Sequence, residues 1–197
     1  AEAHDAGLLH RDIKPANLYL CTAADEVDIV KLLDFGIVHN IAEPIGDEKI
    51  ITAPGGTPPS TGNSGERLTS EGVVIGTPGY IPPEQAVGAP LDARGDLYAL
   101  GCVAWWLLVG DEVFPRASGD DALQAHIHEP IPNLRDKVHT WLPPELEDVI
   151  VACLSKQPEN RPASARHLAK ALRAIVIPPE HMWTKEQAEA WWESRTP

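Results

Sequence analysis

A helix-dominated α+β fold is what this sequence predicts, on three observations. Two short apolar stretches near the start, residues 18–20 and 29–33, flank a polar segment and read as a β-hairpin. Later in the chain, Leu146, Val149, Ile150, Cys153 and Leu154 recur at i, i+3, i+4, i+7 and i+8, one face of a helix. A small strand region followed by a run of helices, with no internal repeat, is the order expected of an α+β domain.

The elements follow in chain order. Residues 1–9 read as the end of a helix and a short strand. Thr22 to Asp28 supply the polar turn between the two hairpin strands. From Thr52 to Gly65, twelve of fourteen residues are Gly, Pro, Ser or Thr, so 52–66 is read as a flexible insertion that cannot bury enough apolar surface to order itself. Asp96 to Val109 is strongly apolar and reads as a buried helix. Leu168, Leu172 and Ile175 mark another helix, with Ser164 as its N-cap. In the tail, 178–197, Thr184 and Gln187 have the spacing of a capping box, and Ala188, Trp191 and Trp192 share one helical face. That Trp-containing helix either packs on the preceding bundle or docks a partner.

Composition sets bounds. The 197 residues suffice for one domain with a sizeable core. The longest apolar run, Gly101 to Gly110, is about half a membrane span, so no transmembrane helix is expected in this segment. A net charge of −13 repels phosphate backbones and anionic lipid, which argues against nucleic-acid or membrane-surface binding. Cys21, Cys102 and Cys153 are odd in number and widely spaced, as expected of free thiols in a reducing compartment. His126 and His128 read as a surface pair near a loop, without metal-ligand spacing. The chain begins at Ala1, within a helical pattern and with no signal-peptide signature, and reads as a piece of a longer protein.

The chemistry is concentrated near the start. Residues 10–18 read His10-Arg11-Asp12-Ile13-Lys14-Pro15-Ala16-Asn17-Leu18, and Asp34-Phe35-Gly36 follows the apolar strand ending at Leu33. Phosphoryl transfer asks little covalent help of a protein. It needs a divalent cation held against the phosphates, a carboxylate aimed at the attacking hydroxyl and positive charge near the moving group. Asp12 suits the second task and Lys14 the third, while Asn17 and Asp34 offer hard oxygen ligands for Mg²⁺. A lone Asp-Phe-Gly is a common turn and a lone Asp-x-Lys a common solvated pair; the nine-residue string is far more specific.

Together the two segments resemble the catalytic loop and metal-binding loop of the protein kinase family, and the texture is most similar to bacterial eukaryotic-like kinases. The resemblance covers residues 1–177 and implies a C-terminal lobe whose small β-hairpin carries both loops. It implies ATP and Mg²⁺ (or Mn²⁺) as cofactors, proteins as substrates and a cytoplasmic location for the domain. Lys14 with Pro15-x-Asn17 implies serine/threonine specificity; Lys14, Asn17 and Asp34 would meet the nucleotide. His10, Phe35 and Gly36 would be structural members of the two loops. Gly76-Thr77-Pro78-Gly79-Tyr80-Ile81-Pro82-Pro83-Glu84 resembles the segment that closes the family's activation loop, Pro82 standing where Ala is usual. Thr77 would lie on the substrate-docking surface near Asp12 and Lys14. Asp96 would accept hydrogen bonds from catalytic-loop backbone, and Arg161 would be the buried partner of Glu84.

From Asp34 to Glu84 the loop runs 50 positions, unusually long. In the resembled family an arginine placed like Arg11 pairs with a phosphate on this loop, and Thr69 and Ser70 are the candidates nearest its docking end. The sequence contains no Gly-x-Gly-x-x-Gly loop, strand lysine or helix glutamate to hold the α/β-phosphates. Those parts would come from an N-terminal lobe in the same protein; a non-catalytic, kinase-like interaction module is the other reading.

Overall fold

A computed structural model describes residues 1–24, 26–33, 39–40 and 76–195. A short helix α1 (Glu2–Asp5) leads into strand β1 (Leu8–Leu9), which pairs antiparallel with β4 (His39–Asn40). Between them β2 (Leu18–Ala23) and β3 (Glu26–Leu32) form an antiparallel hairpin. The helices follow: α2 (Pro83–Ala86), α3 (Ala93–Val109), α4 (Gly119–His128), α5 (Pro144–Cys153), α6 (Ala165–Ala174) and α7 (Lys185–Glu193). Described strands are few and short, and helices dominate, as the sequence pattern implies.

The hairpin is longer than the apolar stretches suggest. Both strands run into the segment read as a turn, so only positions 24 and 25 separate them. Cross-strand pairing continues through Cys21–Ile29 and Ala23–Glu26, with a bulge between these pairs. Backbone ladder bonds, which hydrophobicity does not report, extend the strands through polar residues.

Helix α3 is the centre of the molecule. Its N-cap Asp92 accepts a 2.8 Å hydrogen bond from the Arg94 amide, and it ends at Gly110, whose φ of 79° is the left-handed cap that glycine adopts without a Cβ penalty. Gly101 lets α5 approach: a Cβ there would lie 2.8 Å from Cys153 Cβ. Tyr98, Cys102 and Trp105 of α3 pack with Phe114, Ala125, Leu134, Ile150 and Leu154 in the main core. On another side, Ala99 and Val103 join Ile13, with Leu18 and Leu32 at the hairpin root packed against them. Cys102 and Cys153 are buried free thiols, and burial pushes both thiol pKa values up, Cys153 to about 11. Ser164 caps α6 by accepting from the His167 amide, and the Thr184–Gln187 capping box opens α7.

The sequence expectation for His126 is overturned as well. His126 is not on the surface; it is fully buried in the core on α4, and only His128 is exposed. Its Nδ1 lies 2.7 Å from the Tyr98 hydroxyl, and Phe114 meets its ring edge to face. Nε2 makes no hydrogen bond of good geometry among the described residues, although the Gly79 backbone is near enough to favour protonation. Burial first, and the Lys156 charge second, push the imidazole down to about 4. The folded ring therefore resists a proton that the unfolded ring accepts near pH 6.5. Its contribution to stability is complete above about pH 6.5 and is lost as pH falls towards about 4, amounting to about 3 kcal/mol. Urea unfolding at stepped pH checks this: His126→Gln should flatten that part of the wild-type decline.

Candidate functional site

The site begins with a loop held in an unfavourable shape. Arg11 has φ 62°, a left-handed conformation that costs a non-glycine residue on the order of 1–2 kcal/mol. Asp96, in the first turn of α3, holds it there. Its Oδ2 accepts from the His10 amide at 2.9 Å, and its Oδ1 accepts from the Arg11 amide at 2.9 Å. His4 Nε2 also reaches Oδ2 at 2.8 Å, tying α1 to the same carboxylate. Asp96 is only 3% exposed, so these bonds face little competition from water.

His10 carries the frame forward. Its Nδ1 accepts from the Asp12 amide at 3.3 Å, and its Nε2 donates to the Leu33 carbonyl at 3.2 Å. The Leu33 amide in turn donates to the Asn17 carbonyl at 2.8 Å. The residue immediately before Asp34 is thus fixed through both backbone groups to the 10–17 loop.

Four side chains meet inside this frame. Lys14 Nζ lies 2.7 Å from Asp12 Oδ2 and donates to Thr77 Oγ1 at 3.0 Å. The Thr77 hydroxyl donates to Asp12 Oδ1 at 3.3 Å. Asn17 Nδ2 donates to the Asp12 carbonyl at 2.7 Å and to Asp12 Oδ2 at 3.0 Å. Asp12 keeps 13% of its side-chain surface exposed and Lys14 26%, so the cluster is partly open to solvent. With its amide nitrogen committed to Asp12, Asn17 has its amide oxygen to offer a hard cation.

The segment bearing Thr77 is fastened by a buried ion pair. Arg161 donates through Nη1 to Glu84 Oε1 at 2.6 Å and through Nη2 to Glu84 Oε2 at 2.7 Å. Its remaining donors reach the carbonyls of Ser155, Lys156 and Arg94, and its guanidinium lies over the Tyr98 ring. Glu84 lies in the first turn of α2, which Ile81 and Pro82 join to the turn at Pro78–Tyr80.

Sequence reasoning singled out His10, Arg11, Asp12, Lys14, Asn17, Thr77, Glu84, Asp96 and Arg161. The fold brings the first six and Asp96 together, and pairs Glu84 with Arg161. Asp34, Phe35, Gly36, Thr69 and Ser70 lie outside the described residues. The Nε of Arg11 is buried without a hydrogen-bond partner among the described residues. Sequence reasoning missed the grip of His4 on Asp96, for which the sequence carries no local signal. No group of three or more His, Cys, Asp or Glu among the described residues is arranged to hold a metal.

The protein kinase domain model matches residues 2–172 of this chain. The chain belongs to the protein kinase family. It is 38% identical over 176 residues to the serine/threonine-protein kinase pkn3 of Myxococcus xanthus, covering 89% of this chain and 29% of that protein. It is 36% identical over 167 residues to the serine/threonine-protein kinase PknB of Mycolicibacterium smegmatis, covering 84% and 23%. A third relative, the DNA damage-responsive serine/threonine-protein kinase RqkA of Deinococcus radiodurans, is 31% identical over 188 residues, covering 95% and 23%. The chain thus spans less than a third of the length of these relatives.

Removing the Asp96 carboxylate would leave two backbone N–H groups without their acceptors and free Arg11 to relax. Asp96→Ala should cost about 3 kcal/mol or more in urea unfolding, and should speed amide exchange at His10 and Arg11.

Proposed function

We propose that this chain is the C-terminal lobe of a bacterial-type serine/threonine protein kinase and that the complete protein transfers the γ-phosphate of ATP to Ser or Thr hydroxyls of proteins. The observation that carries the reading is the convergence of Asp12, Lys14, Asn17 and Thr77 on one partly open point, in a chain of the protein kinase family.

Each residue has a task that follows from its chemistry. Asp12 accepts hydrogen bonds from a hydroxyl already, the Thr77 Oγ1, and the same carboxylate would orient the hydroxyl of an incoming Ser or Thr and take its proton. Lys14, ion-paired to Asp12, offers a cation that can turn towards a phosphoryl group when one is present. Asn17 and Asp34 would hold Mg²⁺, with Mn²⁺ as a substitute, and the bound ion would neutralise phosphate charge. The amide oxygen of Asn17 is the hard donor such an ion prefers. Fewer than three protein carboxylates suffice, because nucleotide phosphates complete the shell of a magnesium site. Thr77, at the head of the segment fastened by Glu84 and Arg161, belongs to the surface that docks the peptide.

The Gly-rich loop, strand lysine and helix glutamate of the family are not in this sequence. An N-terminal lobe of the same protein would supply them, so residues 1–197 alone are expected to be inactive. Residues 1–177 form the lobe, 52–66 its activation-segment insertion and 178–197 an appended tail. No described helix is long and apolar enough to cross a membrane, and we place this domain on the cytoplasmic side, where ATP is available. Arg11 would receive a phosphate on Thr69 or Ser70, ordering the long segment through a charge-assisted pair.

In the full-length protein, Asp12→Ala should lower turnover with a protein substrate at least about a hundredfold, read by transfer of radiolabel from ATP. Wild-type turnover in Asp12→Ala would remove Asp12 from the chemistry. Mass spectrometry of the same active preparation should find phosphate on Thr69 or Ser70; none there, with full activity in the double Ala variant, removes the switch.

A further inference from the structure

The tail beyond residue 172, where the match to the family model ends, grips the hairpin at one residue. Asp28 lies in β3 at the bulge, where Thr22 stands opposite two residues, Val27 and Asp28. Its φ is 59°, a conformation that bulges of this kind normally give to glycine. Its carboxylate is taken by two indoles. Trp183 Nε1 donates to Oδ2 at 2.7 Å, and Trp192 Nε1 donates to Oδ1 at 2.8 Å. Trp183 immediately precedes Thr184, the N-cap of α7, and Trp192 lies in the last turn of the helix, so one carboxylate ties down the chain on both sides of α7's length. Ala188, midway between them, is buried, and α7 packs against β3. A second hold lies just upstream, where the His181 ring stacks on Trp141 at 4.0 Å, anchoring the tail to the segment before α5.

The hairpin needs an outside hold. A two-stranded ribbon is marginal by itself in water. Leu18 and Leu32 pack its root on the core, whereas Tyr19, Leu20 and Val30 further out are exposed. The root is where the chemistry connects: β2 starts directly after Asn17, and β3 ends one residue before Leu33, which precedes Asp34.

We propose that Asp28, Trp183 and Trp192 form a clasp by which the C-terminal tail positions the β2–β3 hairpin, and through it the residues that bind ATP and its metal. Asp28 is a positioning residue that touches neither substrate nor nucleotide. The clasp accounts for a left-handed Asp at the bulge: the strained backbone carries the carboxylate to both indoles. The positioning role rests on the kinase reading above, whereas the clasp itself does not.

Asp28→Gly separates this from a simple turn role, because glycine suits φ 59° better than Asp does. The double variant Trp183→Phe/Trp192→Phe removes the donors and keeps aromatic rings. Both should be made in the full-length protein, with Asp28→Asn, which retains one acceptor oxygen, as the conservative variant. Hydrogen exchange of amides 20–30 should speed by about tenfold in Asp28→Gly and in the double Phe variant, with Asp28→Asn between them and wild type. The Kd for ATP·Mg²⁺ by calorimetry, and the KM for ATP, should rise about threefold or more, with kcat for phosphate transfer within about twofold of wild type. Unchanged or stronger protection in Asp28→Gly overturns the clasp. Faster exchange with unchanged Kd overturns the positioning role, as does a fall in kcat at constant KM. A wild-type protein that transfers no phosphate would defeat the kinase reading, and the exchange experiment would still decide the clasp.

Discussion

Asp96 stands in the first turn of the most buried helix, and its two oxygens receive the amides of His10 and Arg11. The rest of the site is built outward from that contact. Because Asp96 holds Arg11 at positive φ, the chain turns so that Asp12 faces Lys14 and Asn17. Because His10 is fixed, its ring spans from the Asp12 amide to the Leu33 carbonyl and couples the loop to the end of β3. A carboxylate on a rigid helix is a suitable anchor. It is short, its helix is packed on several sides, and its bonds are screened little by water.

The Glu84–Arg161 pair performs the corresponding task for the segment that bears Thr77. Two short parallel bonds and three carbonyl contacts use the donor capacity of the guanidinium, so the buried charge is compensated on every side. Such a pair gives geometric definition more than net stability, since desolvation offsets much of its attraction. Its consequence is positional: Thr77 arrives within hydrogen-bond reach of Lys14 and Asp12 from 63 and 65 positions away in sequence.

Much of this was legible in the sequence because it is carried by short strings. The 10–18 string, the apolar stretch at 96–109 and the Glu84 and Arg161 motifs each announce themselves locally. The limits of β2 and β3 were not legible, since backbone pairing resumes at Ala23 and Glu26 beyond a bulge at Thr22 and Asp28, regardless of side-chain polarity. The burial of His126 had a signal that was not used: Ala122, Ala125 and His126 fall at i, i+3 and i+4 on the buried face of α4. The contacts of His4 with Asp96, and of Asp28 with two tryptophans 155 and 164 positions away, had none. Pairings of that range come from the assembled fold, and a capping box in the tail discloses a helix without disclosing what it holds.

The claim that Asp12, Lys14, Asn17 and Thr77 form half of a protein phosphotransfer site is tested most directly by locating the phosphate. Full-length protein, incubated with radiolabelled ATP, Mg²⁺ and a mixed protein substrate, would be hydrolysed and its phosphoamino acids separated. The account predicts label in phosphoserine and phosphothreonine, dependent on the divalent cation. Label confined to phosphotyrosine, or no label in protein while ATP·Mg²⁺ binds, would contradict it.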